Sequence, residues 1–259
     1  MNLNLPETGF SCETVQYKEI DGIKLFIDVY RPDSKKTDMS MVLFFGGAWT
    51  TGDRKALSHF ARVFSSKGMT VFCPDYRIYG IHKTTVFECI KDGRSAMRFV
   101  KSNSKRFGIN PQRVGAGGGS AGGHVALCTH YIELDEAGDD ISISPSPMFL
   151  TLFNPAVDTS YIPFPEIAKL FGGRGADASP YHHIKPGAPP TIIFHGDNDS
   201  TVPIKSVELF CNKSDEIGNS CRLVTYKGQE HAFFHHSKNP QIFFDVVSRM
   251  EKFIELIKQ

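Results

Sequence analysis

Six short, mainly apolar runs, separated by longer stretches of mixed polarity, are the feature of the sequence that most constrains its fold. The runs are four to six residues long, and continuous apolarity of this kind is typical of parallel strands covered on both faces. Helical periodicity appears at about 56–66, at about 86–106 and after Asn239-Pro240. Alternating strands and helices predict an α/β fold with a doubly wound, mostly parallel sheet. The runs are Met41–Phe45, Thr70–Cys73, Arg113–Ala116, Met148–Phe153, Thr191–Phe194 and Cys221–Tyr226.

The N-terminal region predicts an antiparallel hairpin. Thr14–Ile20 and Ile23–Tyr30 alternate in polarity and flank Asp21-Gly22, which is a type I′ turn signal. No repeat, low-complexity stretch or linker divides the sequence, so we expect one domain over residues 1–259.

Two segments, 131–146 and 156–189, do not fit the strand–helix alternation and are rich in Pro, Gly, Ser and acidic residues. Long irregular stretches in compact domains are often lids or binding loops. We therefore expect both segments to form a small lid over the sheet edge and to supply most of the pocket wall. Tyr161, Phe164 and Phe171 are candidates for an aromatic wall, with ordinary core packing as the alternative.

Charge and apolar patterning narrow the range of partners. Twenty-nine basic and 28 acidic residues give a net charge of +1 without a polybasic run, so nucleic acid is not expected as a partner. No run of about 18 apolar residues predicts a membrane span. The N-terminus lacks the features of a signal peptide, which predicts a cytoplasmic location for the chain as it stands; a leader already removed would make it periplasmic or secreted.

The six cysteines show no CxxC pairing and no metal-ligand spacing. Cys73 and Cys128 lie in apolar segments, where we expect small core residues. Cys211 and Cys221 flank a predicted helix end and strand start. Two free thiols are favoured there because no secretory signal is visible, and a disulfide is the alternative.

The strand Arg113–Ala116 leads into Gly118-Gly119-Ser120-Ala121-Gly122-Gly123, and a helical segment follows. This G-x-S-x-G arrangement at a strand-to-helix turn is typical of a nucleophilic serine. Side chains two residues on either side of Ser120 would collide in so sharp a turn, and glycine at both positions removes the collision. The helix N-terminus places positive partial charge beside the hydroxyl. A phosphate loop is the competing interpretation, but its Gly-Lys-Ser/Thr is missing.

A serine hydroxyl is a weak nucleophile and needs a base within hydrogen-bond reach. The strand that ends at Phe194 is followed by two candidate acids, Asp197 and Asp199. The last strand is followed by a loop that holds His231. Parallel strands share one carboxyl end, so we expect both loops to leave the sheet edge that carries Ser120. We predict that His231 is the base.

The loop Phe45-Gly46-Gly47-Ala48-Trp49 after the first parallel strand, together with Asp75-Tyr76-Arg77, completes the set of motifs. Together these motifs resemble those of the hormone-sensitive-lipase-like serine esterases of the α/β-hydrolase superfamily, and of their acetyl-xylan and feruloyl esterase branch. The family pattern His-Gly-x-x-Asp favours Asp199 as the acid, with Asp197 bracing the turn and His195 stabilising the acid loop. The likeness extends from about residue 40 to the C-terminus and rests on Phe45-Gly46-Gly47-Ala48-Trp49, Asp75-Tyr76-Arg77, Gly118–Gly123, His195–Pro203 and His231-Ala232-Phe233.

The resemblance implies that the backbone N–H groups of Gly47, Ala48 and Ala121 form an oxyanion hole. Two departures from the family's His-Gly-Gly-Gly-Trp motif bear on this loop: Phe45 replaces the His, and Ala48 replaces the third Gly and restricts φ. We expect the hole to survive because its donors belong to the main chain. We expect Trp49 to pack under the loop.

The resemblance also implies a function. We expect a serine carboxylesterase that hydrolyses short-chain acyl esters, with acetyl esters on carbohydrate as a candidate, through an acyl-enzyme and without a cofactor or metal. The expected partner is a small-molecule or carbohydrate ester. Two alternatives remain. A serine peptidase of the prolyl-oligopeptidase type shares the turn Gly118–Gly123, called the elbow, and the acid loop after Phe194, but usually carries a large N-terminal propeller. A non-catalytic α/β-hydrolase fold would bind a small molecule and would have no need of a triad.

Overall fold

The computed structural model describes residues 3–257, in which eight strands form one sheet in the order β1-β2-β4-β3-β5-β6-β7-β8. Strands β3 to β8 are parallel to one another, whereas β1 pairs antiparallel with β2, and β2 with β4. The doubly wound, mostly parallel sheet with an N-terminal hairpin is therefore confirmed. The strands are β1 Phe10–Ile20, β2 Ile23–Pro32, β3 Ser40–Phe44, β4 Thr70–Pro74, β5 Val114–Gly119, β6 Leu150–Phe153, β7 Thr191–Gly196 and β8 Cys221–Tyr226.

Helices cover both faces of the sheet. Successive side chains along a strand point to opposite faces, so each strand contributes to two apolar cores. Val42 and Phe44 of β3 belong to one apolar core, with helices α3, α5 and α7. Met41 and Leu43 belong to the other, with α1 and α8. The α-helices are α1 Ser58–Ser66, α2 Tyr79–His82, α3 Val86–Ser102, α4 Ser104–Phe107, α5 Ala121–Tyr131, α6 Pro165–Ala168, α7 Ile204–Glu216 and α8 Pro240–Ile257, and 3₁₀ turns span Lys169–Phe171 and Pro180–His183.

Local sequence signals set two element boundaries, the hairpin turn between β1 and β2 and the start of α8. Asp21 and Gly22 have φ of 49° and 75°, as a type I′ turn requires. The α8 helix begins at Pro240, and the Asn239 side chain accepts a hydrogen bond from the Ile242 N–H at 3.1 Å. The hairpin turn and this helix start therefore follow the expectation from sequence.

Segment 131–146 lies along α3 rather than over the site. Asp135 accepts hydrogen bonds from Arg94 at 2.6 Å and from Arg98 at 2.8 Å, and Asp139 pairs with Arg98 at 3.2 Å. Glu136 also pairs with Lys18 of β1 at 3.1 Å. The acidic residues of this segment therefore hold it against the helix that carries their basic partners.

Cys211 and Cys221 form a disulfide between the C-terminal part of α7 and the first residue of β8, with their Cα atoms 5.1 Å apart. The preference for two free thiols was wrong. The remaining four cysteines are free, and Cys73, Cys89 and Cys128 among them are buried. Cys73 and Cys128 are thus core residues, as expected.

Over the part of the chain that the structure describes, residues 3–257, helices long and apolar enough to cross a membrane are absent.

Two buried histidines make stability depend on pH. Burial lowers the pKa of His59 to about 3 and that of His124 to about 4, whereas an unfolded histidine titrates near 6.5. Below that pH the unfolded chain takes up protons that the folded protein does not, so stability falls as pH falls. Between pH 7 and pH 5 we expect each histidine to lower the free energy of unfolding by about 2 kcal/mol.

Urea unfolding of the wild type and His59→Gln at pH 7 and pH 5 tests this expectation. The loss of stability on acidification should shrink by about 2 kcal/mol in the variant. The same substitution at exposed His183 is the control. An equal loss in the wild type and His59→Gln would contradict the assignment.

Candidate active site

Ser120 occupies a strained turn between β5 and α5, with φ of 53° and ψ of −120°. A Cβ added to Gly118 would lie 2.5 Å from the carbonyl carbon of Gly122, and one added to Gly122 would lie 2.2 Å from the carbonyl oxygens of Phe44 and Phe45. Neither position accepts any side chain without moving the backbone. The collision expected on either side of the serine is therefore real, and it explains both glycines.

Three side chains from three strand ends form one hydrogen-bonded chain. Ser120 Oγ lies 2.9 Å from His231 Nε2, and His231 Nδ1 lies 2.7 Å from Asp199 Oδ2. Since the carboxylate only accepts, Nδ1 carries a proton and Nε2 presents its lone pair to the Ser120 hydroxyl. The structure thus brings together the predicted nucleophile, base and acid, although they lie far apart in the sequence.

The Asp199 carboxylate is fixed on both oxygens. Its Oδ1 accepts the N–H groups of Thr201 and Val202, each at 2.9 Å, which leaves Oδ2 to His231. Burial raises the pKa of this carboxyl, but the hydrogen bonds from His231 and Val202 outweigh burial and hold the pKa below its ordinary value. Asp199 is therefore ionised at neutral pH and oriented toward the histidine.

Asp197 and His195 support the loop around Asp199. Asp197 Oδ1 accepts the Gly228 N–H at 2.5 Å, which ties the acid loop to the loop after β8. His195 is fully buried, and its Nε2 donates to the Val202 carbonyl at 2.8 Å. Burial lowers the pKa of His195 despite the neighbouring carbonyl and carboxylate, so the ring is neutral. Both residues thus hold the turn that presents Asp199.

The loop after β3 approaches the serine closely. A Cβ on Gly46 would lie 2.9 Å from the Gly119 carbonyl oxygen and 3.4 Å from Ser120 Cβ. The carbonyl of Gly47 accepts the N–H groups of Thr50 and Thr51, both at 3.0 Å, and so closes a tight turn. Gly47 and Ala48 have φ of 125° and 51°, and positive φ values raise the conformational energy of an alanine more than that of a glycine.

Three main-chain N–H groups beside Ser120 are available as hydrogen-bond donors in the part of the chain that the structure describes. Among residues 3–257, the N–H groups of Gly47, Ala48 and Ala121 take no part in the backbone hydrogen bonds formed outside the helices and strands. Ala121 is the first residue of α5, so the helix itself offers its N–H no acceptor. These are the three donors that the family resemblance assigned to an oxyanion hole.

Packing replaces the missing motif histidine. The Phe45 ring stacks on Tyr76 with a centroid distance of 4.2 Å, and the Tyr76 hydroxyl donates to the Phe45 carbonyl at 2.7 Å. Trp49 is buried, as expected; its Nε1 donates to His124 Nδ1 at 3.2 Å, and its ring packs edge-on against Phe171. The loop is therefore held from below by aromatic contacts and two buried hydrogen bonds.

A cavity of about 390 Å³ opens beside Ser120. Neither 131–146 nor 156–189 supplies a lining residue, so the expectation that these segments form most of the pocket wall was wrong. Tyr161 and Phe164 are exposed, whereas Phe171 is buried against Trp49. The lining residues are Gly46, Gly47, Ala48, Thr50, Thr51, Ala56, Leu57, Gly119, Ser120, Asn154, Thr201, His231, Ala232, Phe234 and His235.

Asn154 and His235 are site residues that the sequence analysis missed. Asn154 directly follows β6 and is fully buried, with its side chain against His231. Its position in the sequence directly after a predicted strand could have identified it, because β6 ends at the same sheet edge as β5, β7 and β8. His235 lies four residues after His231, and burial lowers its pKa. No spacing rule distinguished it from the other histidines.

Known proteins are similar to this chain in sequence and in fold. Two family models match, BD-FAE over residues 27–144 and the prolyl oligopeptidase family over residues 173–255. Esterase 2 of Thermogutta terrifontis, phosphonylated by sarin, is 31% identical, with 98% of this chain and 96% of that chain covered and a TM-score of 0.90. Its propionate-bound structure is 33% identical, with 97% and 96% covered and a TM-score of 0.88.

Two curated relatives are also esterases by name. A probable isoprenylcysteine alpha-carbonyl methylesterase of Arabidopsis thaliana is 26% identical over 79% of this chain and 48% of its own length. LipM of Mycobacterium tuberculosis, a probable carboxylic ester hydrolase, is 29% identical over 74% of this chain and 49% of its own length. The chain thus spans about half the length of these curated relatives. It belongs to the α/β-hydrolase family of serine esterases.

Proposed function

We propose that the protein is a serine carboxylesterase that hydrolyses short-chain acyl esters. The observation that carries the proposal is the chain of hydrogen bonds from Ser120 through His231 to Asp199, with distances of 2.9 and 2.7 Å. A lone serine at a strained turn has structural explanations, but a serine bonded to an oriented histidine is what activation of a nucleophile needs. The cavity beside Ser120 offers space for a small substrate.

Acylation uses all three side chains. Ser120 Oγ attacks the ester carbonyl carbon while its proton passes to His231 Nε2, and the carbonyl π electrons move onto the oxygen. That oxyanion binds to the N–H groups of Gly47, Ala48 and Ala121. Asp199 stabilises the imidazolium. The bond to the alcohol then breaks, the alcohol takes the proton from Nε2, and the acyl group remains on Ser120.

Deacylation repeats these steps with water. Water attacks the acyl carbon and gives one proton to His231 Nε2. The new oxyanion collapses, the bond to Ser120 Oγ breaks, and Oγ takes the proton back as the carboxylic acid leaves. No step needs a cofactor or a metal.

The cavity favours a short acyl group. Its walls near the serine consist of the loops after β3, β6, β7 and β8, and the lining includes the apolar residues Ala56, Leu57 and Phe234. The Thermogutta esterase binds propionate in one structure, and we carry that size range over to this chain. Acetyl esters on carbohydrate are our candidate natural substrates, since polar Thr50, Thr51 and Thr201 share the lining.

A panel of p-nitrophenyl acetate, butyrate, octanoate and palmitate tests the proposal, with a proline p-nitroanilide alongside. We expect kcat/KM to be highest for acetate or butyrate and to fall by about tenfold or more at octanoate, because a longer chain outgrows the cavity. Rising kcat/KM with chain length would contradict the short-chain assignment. Cleavage of the anilide in preference to the esters would favour a peptidase, the activity suggested by the family match over residues 173–255.

A further inference from the structure

Asn154 holds the base through two separate contacts. Its Oδ1 accepts the Ala232 N–H at 3.0 Å, which fixes the residue that follows His231. Because Oδ1 is used in this way, the amide nitrogen Nδ2 faces the imidazole, 3.3 Å from His231 Nε2. Ala232 has φ of 59°, so the turn carrying the histidine is strained and needs such a restraint.

The Asn154 Nδ2 atom contacts His231 Nε2, the nitrogen that takes up and releases the proton in each step of the proposed mechanism. Among the side chains of residues 3–257, His231 Nε2 has two hydrogen-bond partners, Ser120 Oγ at 2.9 Å and Asn154 Nδ2 at 3.3 Å. Nε2 has a single lone pair, which the shorter bond from Ser120 uses best. In the free enzyme the Asn154 contact is therefore the weaker of the two, and Ser120 at Nε2 together with Asp199 at Nδ1 can orient the ring without it.

The relative importance of the two hydrogen bonds to His231 Nε2 changes once Ser120 is acylated. Its Oγ then has no proton to donate, since it is the ester oxygen of the acyl-enzyme. Asn154 Nδ2–H becomes the one remaining protein donor to Nε2 among the described side chains. Water must lose its proton to this same Nε2, so the ring has to keep its lone pair directed into the cavity during that step.

We propose that Asn154 is a positioning residue that acts mainly in deacylation. It keeps the His231 ring in place while Ser120 carries the acyl group, and it yields to the incoming water because its bond is long. This inference rests on the proposed acyl-enzyme mechanism. A purely conformational role is the alternative, because Asn154 has φ of 36°, which Asn, Asp and Gly tolerate better than other residues.

Two variants separate these roles. Asn154→Asp tolerates the backbone and keeps an acceptor for the Ala232 N–H, but it loses the donor to Nε2. Asn154→Gly tolerates the backbone and loses both contacts, without adding a charge. Both variants lack the Nδ2–H donor, so a kinetic effect that both variants show is attributed to the loss of that donor. Asn212→Asp, an exposed position on α7, is the matched control for the change in charge.

Stopped-flow kinetics with p-nitrophenyl acetate measure the two chemical steps. In both Asn154 variants we expect kcat and KM to fall together by about tenfold, the value of one neutral hydrogen bond. The value of kcat/KM and the rate of the initial p-nitrophenolate burst should stay within about twofold of the wild type. Addition of hydroxylamine, a stronger nucleophile than water, should restore turnover.

Other results would overturn the inference. If kcat/KM falls as far as kcat, Asn154 acts on acylation or on the fold; if Asn154→Asp matches the wild type, the donor has no role. Failure of the proposed function looks different, because then the wild type itself neither turns over the ester nor becomes labelled at Ser120 by paraoxon.

Discussion

Replacing Ser120 by alanine is expected to lower kcat for p-nitrophenyl acetate by about 10³-fold or more. The substitution removes the atom that would form the acyl-enzyme and leaves the rest of the cavity in place. Some rate above that of water should persist, because the N–H groups of Gly47, Ala48 and Ala121 can still stabilise an oxyanion formed by direct attack of water.

The measurement is a set of initial rates for the wild type, Ser120→Ala and Ser102→Ala. Ser102 is the exposed last residue of α3, where its hydroxyl donates to the Phe99 carbonyl and accepts from the Asn103 side-chain amide, so it serves as the matched control. Mass spectrometry after paraoxon treatment should show one added phosphoryl group in the wild type and none in Ser120→Ala. Equal rates in the wild type and Ser120→Ala would exclude Ser120 as the nucleophile and would favour a binding protein.

Replacing Asp199 by asparagine should lower kcat by about 10⁴-fold, because the histidine then holds the wrong tautomer. The N–H groups of Thr201 and Val202 occupy Oδ1 of the present side chain. The asparagine oxygen would take their place, and its NH₂ group would face His231 Nδ1. That nitrogen would have to accept, so Nε2 would carry the proton and could not accept one from Ser120.

Asp197→Asn is the matched control, with the same chemical change two residues away. Its oxygen can still accept the Gly228 N–H, so we expect kcat to change by less than about tenfold. Initial rates and circular dichroism of both variants provide the measurement. A larger loss in Asp197→Asn than in Asp199→Asn, with both proteins folded, would reverse the assignment of the acid.

The sequence was informative where structure follows from local pattern. Short apolar runs became β3 to β8, and the rule that parallel strands end at one edge was enough to bring Ser120, Asp199 and His231 within hydrogen-bond distance. The glycines at 118 and 122 follow from the sequence pattern, because a steric collision two residues from the serine depends on the turn alone.

The errors arose where distant parts of the chain decide the outcome. Segment 131–146 looks like a lid by composition, yet its carboxylates pair with Arg94 and Arg98, about 40 residues earlier in the sequence. The disulfide depends on the separation of Cys211 and Cys221 in space, which spacing in sequence does not give. Asn154 belongs to no motif, and its role emerges only where the loops after β6 and β8 meet.

The crowding of backbone around the elbow also bears on which substitutions the protein can accept during evolution. Gly46, Gly118 and Gly122 touch neighbouring carbonyl groups so closely that each excludes even a methyl group. Leu57, Thr201 and Phe234 present side chains to the same cavity, so replacing one of them alters the shape of the cavity. Substitutions that alter substrate preference are therefore expected among these side chains, while the glycines that shape the turn around Ser120 stay constant.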